Sequence, residues 1–487
     1  MTVVHAPDVL EGVPLELLVG GAWRPSASGQ TFDVHDPATG EVLASIADAM
    51  PGDGMAALDA AAAAQSGWAA VPARERSEIL RRAFDLVVVN RERIARLIAS
   101  EMGKPVAEAY GEVDYGAEFL RWFAEEAVRH SGDYRRSPDG ASRILVSRRP
   151  IGPCLLITPW NFPLAMATRK IAAALAAGCT VVLKPAPETP LTSLLFARLL
   201  QEAGVPDGVV NVVTTSDAPA LCAPLIADGR IRKVSFTGST PVGRLLVAQC
   251  GPQLVRPSME LGGNAPFIVL ADADLDAAVE GAMIAKMRNM GEACTAANRF
   301  LVEASVADEF ARLLGERMGR LRLGHGLDAG TEVGPLIDEA AQDRLGELVA
   351  DAVAHGASVR VGGAAPERAG WFFAPTVLEN VPAEARVSRE EIFGPVAPIT
   401  TFTEVDEAIR IANDTEFGLV AYLYTGDPAR ALRLAERLET GMVALNRGLV
   451  SNAAAPFGGI KHSGMGREGG REGIEDYLDI TYVAVDA

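Results

Sequence analysis

The chain has 487 residues, 49% of them hydrophobic, which is enough for two or three lobes with sizeable cores. Its formal net charge of −18 argues against nucleic acid and against an anionic membrane surface as partners, so an anionic substrate would need a local basic pocket. The five cysteines are odd in number and lack CxxC spacing, and the six histidines are scattered, so neither a disulfide framework nor a metal site is indicated.

The start, Met1 to Asp8, shows no basic flank or apolar core of signal-peptide type, and the longest apolar run, Ile171 to Leu183, is interrupted and too short to span a bilayer. The expectation is a cytoplasmic protein. An Ala-rich helix is read near Ala60 to Ala64. From Ile151 short apolar runs alternate with longer helical ones. Strands are expected at Ile151 to Thr158, Cys179 to Leu183, Val209 to Val213, Lys233 to Phe236 and Pro257 to Leu261. Helices fall between them at Leu164 to Ala177, Leu191 to Ala203, Asp217 to Ala227 and Pro241 to Gln249. This rhythm implies an α/β fold with a parallel sheet covered on both faces. A second α/β region follows from Ala265, with strands expected at Pro266 to Leu270, Phe300 to Glu303, Ser358 to Val361, Ala397 to Phe402, Val420 to Tyr424 and Met442 to Asn446. Ser142 to Arg149 and Tyr477 to Val485 alternate polar and apolar residues. Each would be marginal alone; paired, they make a protruding ribbon whose edges invite a partner subunit.

The chemistry concentrates in Ser258-Met259-Glu260-Leu261-Gly262-Gly263-Asn264 and in Gly291-Glu292-Ala293-Cys294. A thiol can attack a carbonyl carbon, and a carboxylate can then draw a proton from water to release an acid. Alone, the first run is more often a strand-to-loop corner and a single Cys a small core residue. In Thr158-Pro159-Trp160-Asn161-Phe162-Pro163, the Asn amide could face a developing oxyanion or could cap the next helix. Lys184, at the end of a strand, sits where doubly wound folds bind a ribose, though a solvated lysine is the commoner case. Gly238-Ser239, ahead of a helix, would suit a pyrophosphate. Glu391 could accept ribose hydroxyls, or be a charged loop face. The one GxGxxG, Gly464 to Gly469, follows no strand and is read as a flexible loop.

Taken together, these segments resemble the aldehyde dehydrogenase superfamily over nearly the whole chain, from Asp36-Pro37-Ala38-Thr39-Gly40 and Glu101-Met102-Gly103-Lys104-Pro105 to Pro456-Phe457-Gly458-Gly459-Ile460-Lys461. Thr168-Arg169-Lys170, Lys286-Met287-Arg288-Asn289 and Gly448-Leu449-Val450-Ser451 look most like its succinate-semialdehyde dehydrogenase branch. The resemblance implies two doubly wound α/β domains and an oligomerisation ribbon. Residues 1–130 and 151–261 would form the dinucleotide-binding domain, 262–460 the catalytic domain, and 131–150 with 461–487 the ribbon of a homodimer or homotetramer. It implies Cys294 as nucleophile, Glu260 as general base, and Asn161 with the Cys294 backbone N–H as oxyanion hole. Trp160, Lys184, Gly238, Ser239, Leu261 and Glu391 would contact NAD or NADP, and Arg169, Arg288 and Ser451 the far carboxylate of a semialdehyde. Two guanidiniums and a hydroxyl make a good carboxylate receptor. Another aldehyde, such as glutarate semialdehyde, or a catalytically silent binding role, are the alternatives.

Three positions depart from the family pattern. Glu292 replaces the usual Gln, and its carboxylate would either raise the thiol pKa or point into the neighbouring wall. Ala296 replaces a second cysteine found in some relatives. Pro187 stands where Glu would favour NAD and Ser would tolerate NADP, with Glu188 displaced by one.

Overall fold

The computed structural model describes residues 9–486. Five parallel strands form the heart of the first sheet, in the order Arg256–Glu260, Lys233–Thr237, Cys154–Ile157, Val181–Lys184 and Val210–Val212. Helices cover both faces, which is why runs such as Cys-Leu-Leu-Ile and Val-Val-Leu-Lys are buried at every residue. The chain lays down Cys154–Ile157 first and winds outward through Val181–Lys184 to Val210–Val212. It then returns to the other side of the first strand with Lys233–Thr237. The order therefore reverses between Cys154–Ile157 and Lys233–Thr237, and in open α/β sheets the crevice beyond the carboxyl ends at such a point is where ligands bind. The segments leaving those two ends are Thr158 to Asn161 and Gly238-Ser239.

Both edges of this sheet are antiparallel. Leu17–Val19 and Ala22–Arg24 form a hairpin beside Val210–Val212. On the far edge, Gly464–Met465 pairs with Met259 and Glu260. The expectation of a flexible loop at Gly464 to Gly469 is thus overturned. Gly464 has φ 125° and a side chain there would collide with the Met259 carbonyl, so the glycine is required by close pairing rather than by mobility.

The second sheet runs Ser358–Val361, Thr376–Glu379, Val396–Phe402, Ala297–Glu303, Ala265–Val269, Val420–Tyr424, Met442–Leu445. All neighbouring pairs are parallel except the first. Thr376–Glu379 was not expected. It is four residues long and, although Pro375 borders it, only Val377 and Leu378 in it are apolar.

The ribbon is a third, three-stranded sheet. Ser142–Pro150 pairs with Leu478–Asp486 along its whole length, from Ser142 opposite Asp486 to Pro150 opposite Leu478, and Asp133–Arg136 lies on its other side. Ile480 and Tyr482 are 67% and 58% exposed on it. Residues 464–465 belong to the first sheet, and the Glu472–Glu475 turn packs on the Pro163–Ala177 helix, so within 461–486 only the final strand is ribbon. No helix among the described residues is long and apolar enough to cross a membrane.

Candidate active site

A cavity of about 520 Å³ opens at the crevice predicted by the strand order, and its wall gathers residues from both large sheets. Cys294, Glu260, Asn161, Trp160, Gly238, Ser239, Leu261, Glu391, Arg169, Arg288 and Ser451 all line it. Lys184 does not; it ends its strand buried, with burial lowering its amine pKa against the opposing pull of Cys222 and Glu188. Among the lining residues that sequence reasoning missed are Arg344 and Phe457. Arg344 donates to the carbonyls of Glu391 (2.7 Å) and Ile392 (3.1 Å), pinning the Glu391 loop, and Phe457 packs its ring under Arg169, 4.4 Å from the guanidinium carbon. Arg344 lies on the Glu339–Ala354 helix, where an isolated arginine gives no sequence signal.

The Glu-Leu-Gly-Gly turn is explained by what surrounds it. A side chain at Gly262 would lie 2.6 Å from the Glu391 carboxylate, and one at Gly263 would lie 2.5 Å from the Cys294 carbonyl. With both bare, the Gly263 N–H donates to Glu391 Oε1 at 3.0 Å, and the Cys294 backbone closes on the turn.

The loop that delivers Cys294 is strained. Asn289, Met290 and Gly291 adopt left-handed backbone in succession, with φ of 56°, 54° and 79°. That conformation costs roughly 1–2 kcal/mol for each residue with a side chain, so the surroundings must hold it. The Asn289 N–H donates to Glu108, and its side-chain amide donates to the Glu292 carbonyl at 2.8 Å. The Asn161 amide donates to that same carbonyl at 2.9 Å. Asn161 is therefore not a helix cap. Phe162 occupies the cap position without a side-chain bond, and Glu112 Oε1 instead accepts the N–H groups of Leu164 (2.9 Å) and Ala165 (3.2 Å). Of the two amide hydrogens on Asn161, one is held by Glu292 and the other is left for the cavity.

Burial dominates the electrostatics. It pushes the Cys294 thiol up to about 12; Arg169 and Arg288 pull it down, while Glu391 and Glu260 push it further up. Burial also raises the Glu260 carboxyl well above its usual range, helped by Glu468 and opposed by Arg169 and Lys170. Neither oxygen of Glu260 has a hydrogen-bond partner among the described residues, so the group is poised in the cavity without being tethered. Glu468 is buried too, but its ion pairs with Arg169 and Lys170 overcome burial and hold its carboxyl down at about 2. Arg169 thus faces the cavity with its charge already matched. Arg288 is different. Its guanidinium donates to Ser451 Oγ at 3.2 Å and lies 4.9 Å from the Phe162 ring centre, and no carboxylate lies within ion-pair distance of it among the described residues.

The Glu292 side chain turns away from the thiol into the wall, where Oε1 accepts the Ile337 N–H at 3.2 Å and Oε2 has no partner among the described residues. Burial raises its carboxyl well above 4.5; the Ile337 N–H and Lys104 oppose this, and Asp338 adds to it. An acid with a raised folded pKa destabilises the fold as pH climbs from the unfolded value toward the folded one, and the loss is complete above the latter. Glu292→Gln should therefore raise the melting temperature at pH 8 and leave it unchanged near pH 4. Equal melting curves at pH 8 would place the ionised carboxylate in a better-solvated setting.

The residues present fit a dinucleotide. Gly238 and Ser239 lead into the Thr240–Cys250 helix, whose first-turn amides have no side-chain cap, and such an N-terminus suits a pyrophosphate. The buried Glu391 carboxyl, raised by burial to about 7, lies beside it as an acceptor for hydroxyls.

The comparisons with known proteins agree with this geometry. The aldehyde dehydrogenase family pattern matches residues 23–483. A succinate-semialdehyde dehydrogenase of Paenarthrobacter nicotinovorans is 60% identical over 444 residues, covering 91% of this chain and 99% of the relative. A glutarate-semialdehyde dehydrogenase of Pseudomonas aeruginosa is 50% identical, covering 96% of each. The crystal structure of an NADP-dependent enzyme from E. coli superposes with a TM-score of 0.96 at 50% identity over 98% of both chains. With a family pattern over residues 23–483, a matching fold and identities of this size, the chain belongs to the aldehyde dehydrogenase family.

Proposed function

We propose that the protein oxidises succinate semialdehyde to succinate, with NAD or NADP as oxidant. The observation that carries the substrate choice is Arg288, a guanidinium in the cavity wall, bonded to a serine hydroxyl and with no carboxylate within ion-pair distance among the described residues, Glu108 acting on it only from further off. In an acidic protein, such a group recruits an anion. The carboxylate of a short semialdehyde would bridge Arg288 and Ser451, with Arg169 adding a screened contribution because Glu468 already neutralises it.

The chain's own residues then account for the chemistry. The Cys294 thiol gives its proton to solvent water, and the thiolate sulfur attacks the aldehyde carbon, giving a tetrahedral oxyanion that accepts hydrogen bonds from the free Asn161 amide hydrogen and the Cys294 N–H. The dinucleotide, when bound, would accept the hydride that leaves the thiohemiacetal carbon, which then becomes a thioester; Gly238, Ser239, Leu261, Trp160 and Glu391 line the cavity and would hold it, with Lys184 at the end of the adjoining strand. Glu260 takes a proton from water, the resulting hydroxide attacks the thioester, and the carbon–sulfur bond breaks to release the acid and the Cys294 thiolate. Pro187 leaves both dinucleotides open. The exposed apolar ribbon supports a homodimer or homotetramer.

Arg288→Ala tests the substrate. Loss of one charge-assisted pair should cost about 2–3 kcal/mol, or roughly 30- to 150-fold in kcat/KM for succinate semialdehyde, mostly in KM. A neutral aldehyde of similar length should hardly notice. Equal losses for both aldehydes would make Arg288 a brace for the Cys294 loop and remove the succinate-semialdehyde assignment. The same kinetic comparison with the five-carbon glutarate semialdehyde decides between the two acids.

A further inference from the structure

Lys104 and Glu112 form an ion pair whose side chains are 1% and 0% exposed, behind the cavity wall rather than in it. A buried pair of this kind is a weak source of stability, because desolvation offsets most of the attraction. Its hydrogen bonds all converge on one short segment. The Lys104 ammonium lies 2.5 Å from Glu112 Oε2, donates to the Asn161 carbonyl at 2.8 Å, and sits 4.1 Å from the centre of the Phe162 ring. The other Glu112 oxygen holds the N–H groups of Leu164 and Ala165, the first free donors of the next helix. The Asn161 carbonyl and the backbone that follows it are thus tied to one charge pair, while the Asn161 side chain is tied to the Glu292 carbonyl, two residues before Cys294. Asn289 closes the circuit by donating to the carbonyls of both Asn161 (3.3 Å) and Glu292 (2.8 Å).

We infer that Lys104 and Glu112 are positioning residues that set the amide of Asn161 against the carbonyl oxygen of the substrate. The inference rests on the oxyanion role proposed for Asn161. The pair touches no reacting atom and acts through that one side chain. Its chemistry suits such a role. An ammonium and a carboxylate locked together in a dry site have far less freedom than a neutral contact, and an oxyanion donor must be held to a fraction of an ångström.

The test is a comparison of two backgrounds. In Lys104→Met/Glu112→Gln, the glutamine keeps an oxygen for the Leu164 and Ala165 amides, and no unpaired charge remains. The readout is the single-turnover burst of reduced dinucleotide when the enzyme–dinucleotide complex meets succinate semialdehyde, with the dinucleotide Kd measured separately. In the otherwise native protein the burst rate should fall about tenfold to a hundredfold, the scale of an ångström-sized misplacement, at unchanged dinucleotide Kd. In an Asn161→Ala background the same two substitutions should have almost no further effect. Equal losses in both backgrounds, or no loss in the native one, would overturn the inference. A burst unaffected by Asn161→Ala alone would instead remove the oxyanion role. If the double variant does not fold, Glu112→Gln alone carries the same comparison, with an expected loss of about threefold to tenfold.

Discussion

Cys294→Ala should bind dinucleotide as the native protein does and lose aldehyde oxidation by on the order of 10⁶-fold, the scale seen when an acyl-transfer nucleophile is removed. The thiol is the group in the cavity wall that can form the covalent bond, and it does not lie in the Gly238-Ser239 turn assigned to the phosphates. Its environment also fixes how the native thiol reacts. Burial holds it up at about 12, so in dinucleotide-free protein it is protonated at pH 7. Iodoacetamide should alkylate Cys294 slowly at pH 7 and faster with each unit of rising pH, since the thiolate is the reactive form. The other cysteines, Cys154, Cys179, Cys222 and Cys250, are buried and should stay unmodified in the folded protein. Turnover in Cys294→Ala above a trace would remove the residue from the mechanism.

Glu260→Gln should uncouple the two halves of the reaction. Acylation needs the thiol and the oxyanion donors, so a burst of reduced dinucleotide should appear in an amount equal to the active sites. Deacylation needs a base for water, and steady turnover should then fall by about 10²- to 10⁴-fold. The native carboxyl is raised well above its usual range, first by burial and then by Glu468. Only the carboxylate can accept the proton, so native deacylation should accelerate as pH rises through the elevated pKa. The glutamine variant should lack that limb. A folded Glu260→Gln protein with no burst would mean that Glu260 acts before water does, as the base that removes the Cys294 proton.

The sequence made the strands of both large sheets legible where glycine or proline bounded a short apolar run. Val181–Lys184 after Gly178 and Val420–Tyr424 after Gly418 lie close to their expected ends. Thr376–Glu379 follows Pro375 but holds only two apolar residues, Leu17–Val19 is too short to show a period, and Thr31–His35 alternates polar and apolar residues without standing among the expected strands. In the site, the residues legible from the chain were those whose type announces chemistry, such as Cys294 and Glu260. Those that organise them were not. Lys104 finds Asn161 across 57 positions and Lys170 finds Glu468 across 298, and nothing in the local sequence of either lysine records its partner. The misreading of Gly464 to Gly469 has the same origin: glycines that look mobile in a string are immobile once Met259 and Glu260 pair with them.

That pairing sets a timetable for biosynthesis. Glu468 and the strand Gly464–Met465 come from the last part of the chain, while Arg169, Lys170 and Glu260 are made far earlier. While the ribosome still holds the C-terminal segment, two buried cations on the Pro163–Ala177 helix have no counter-charge, and the strand bearing Glu260 has an open edge. The nascent chain can shape its dinucleotide crevice early, but its catalytic pocket can be finished only once the segment from Gly464 to Glu468 has left the ribosome. The strand Leu478–Asp486 follows in the same late segment, so completing the pocket and completing the ribbon are one event in the life of the molecule.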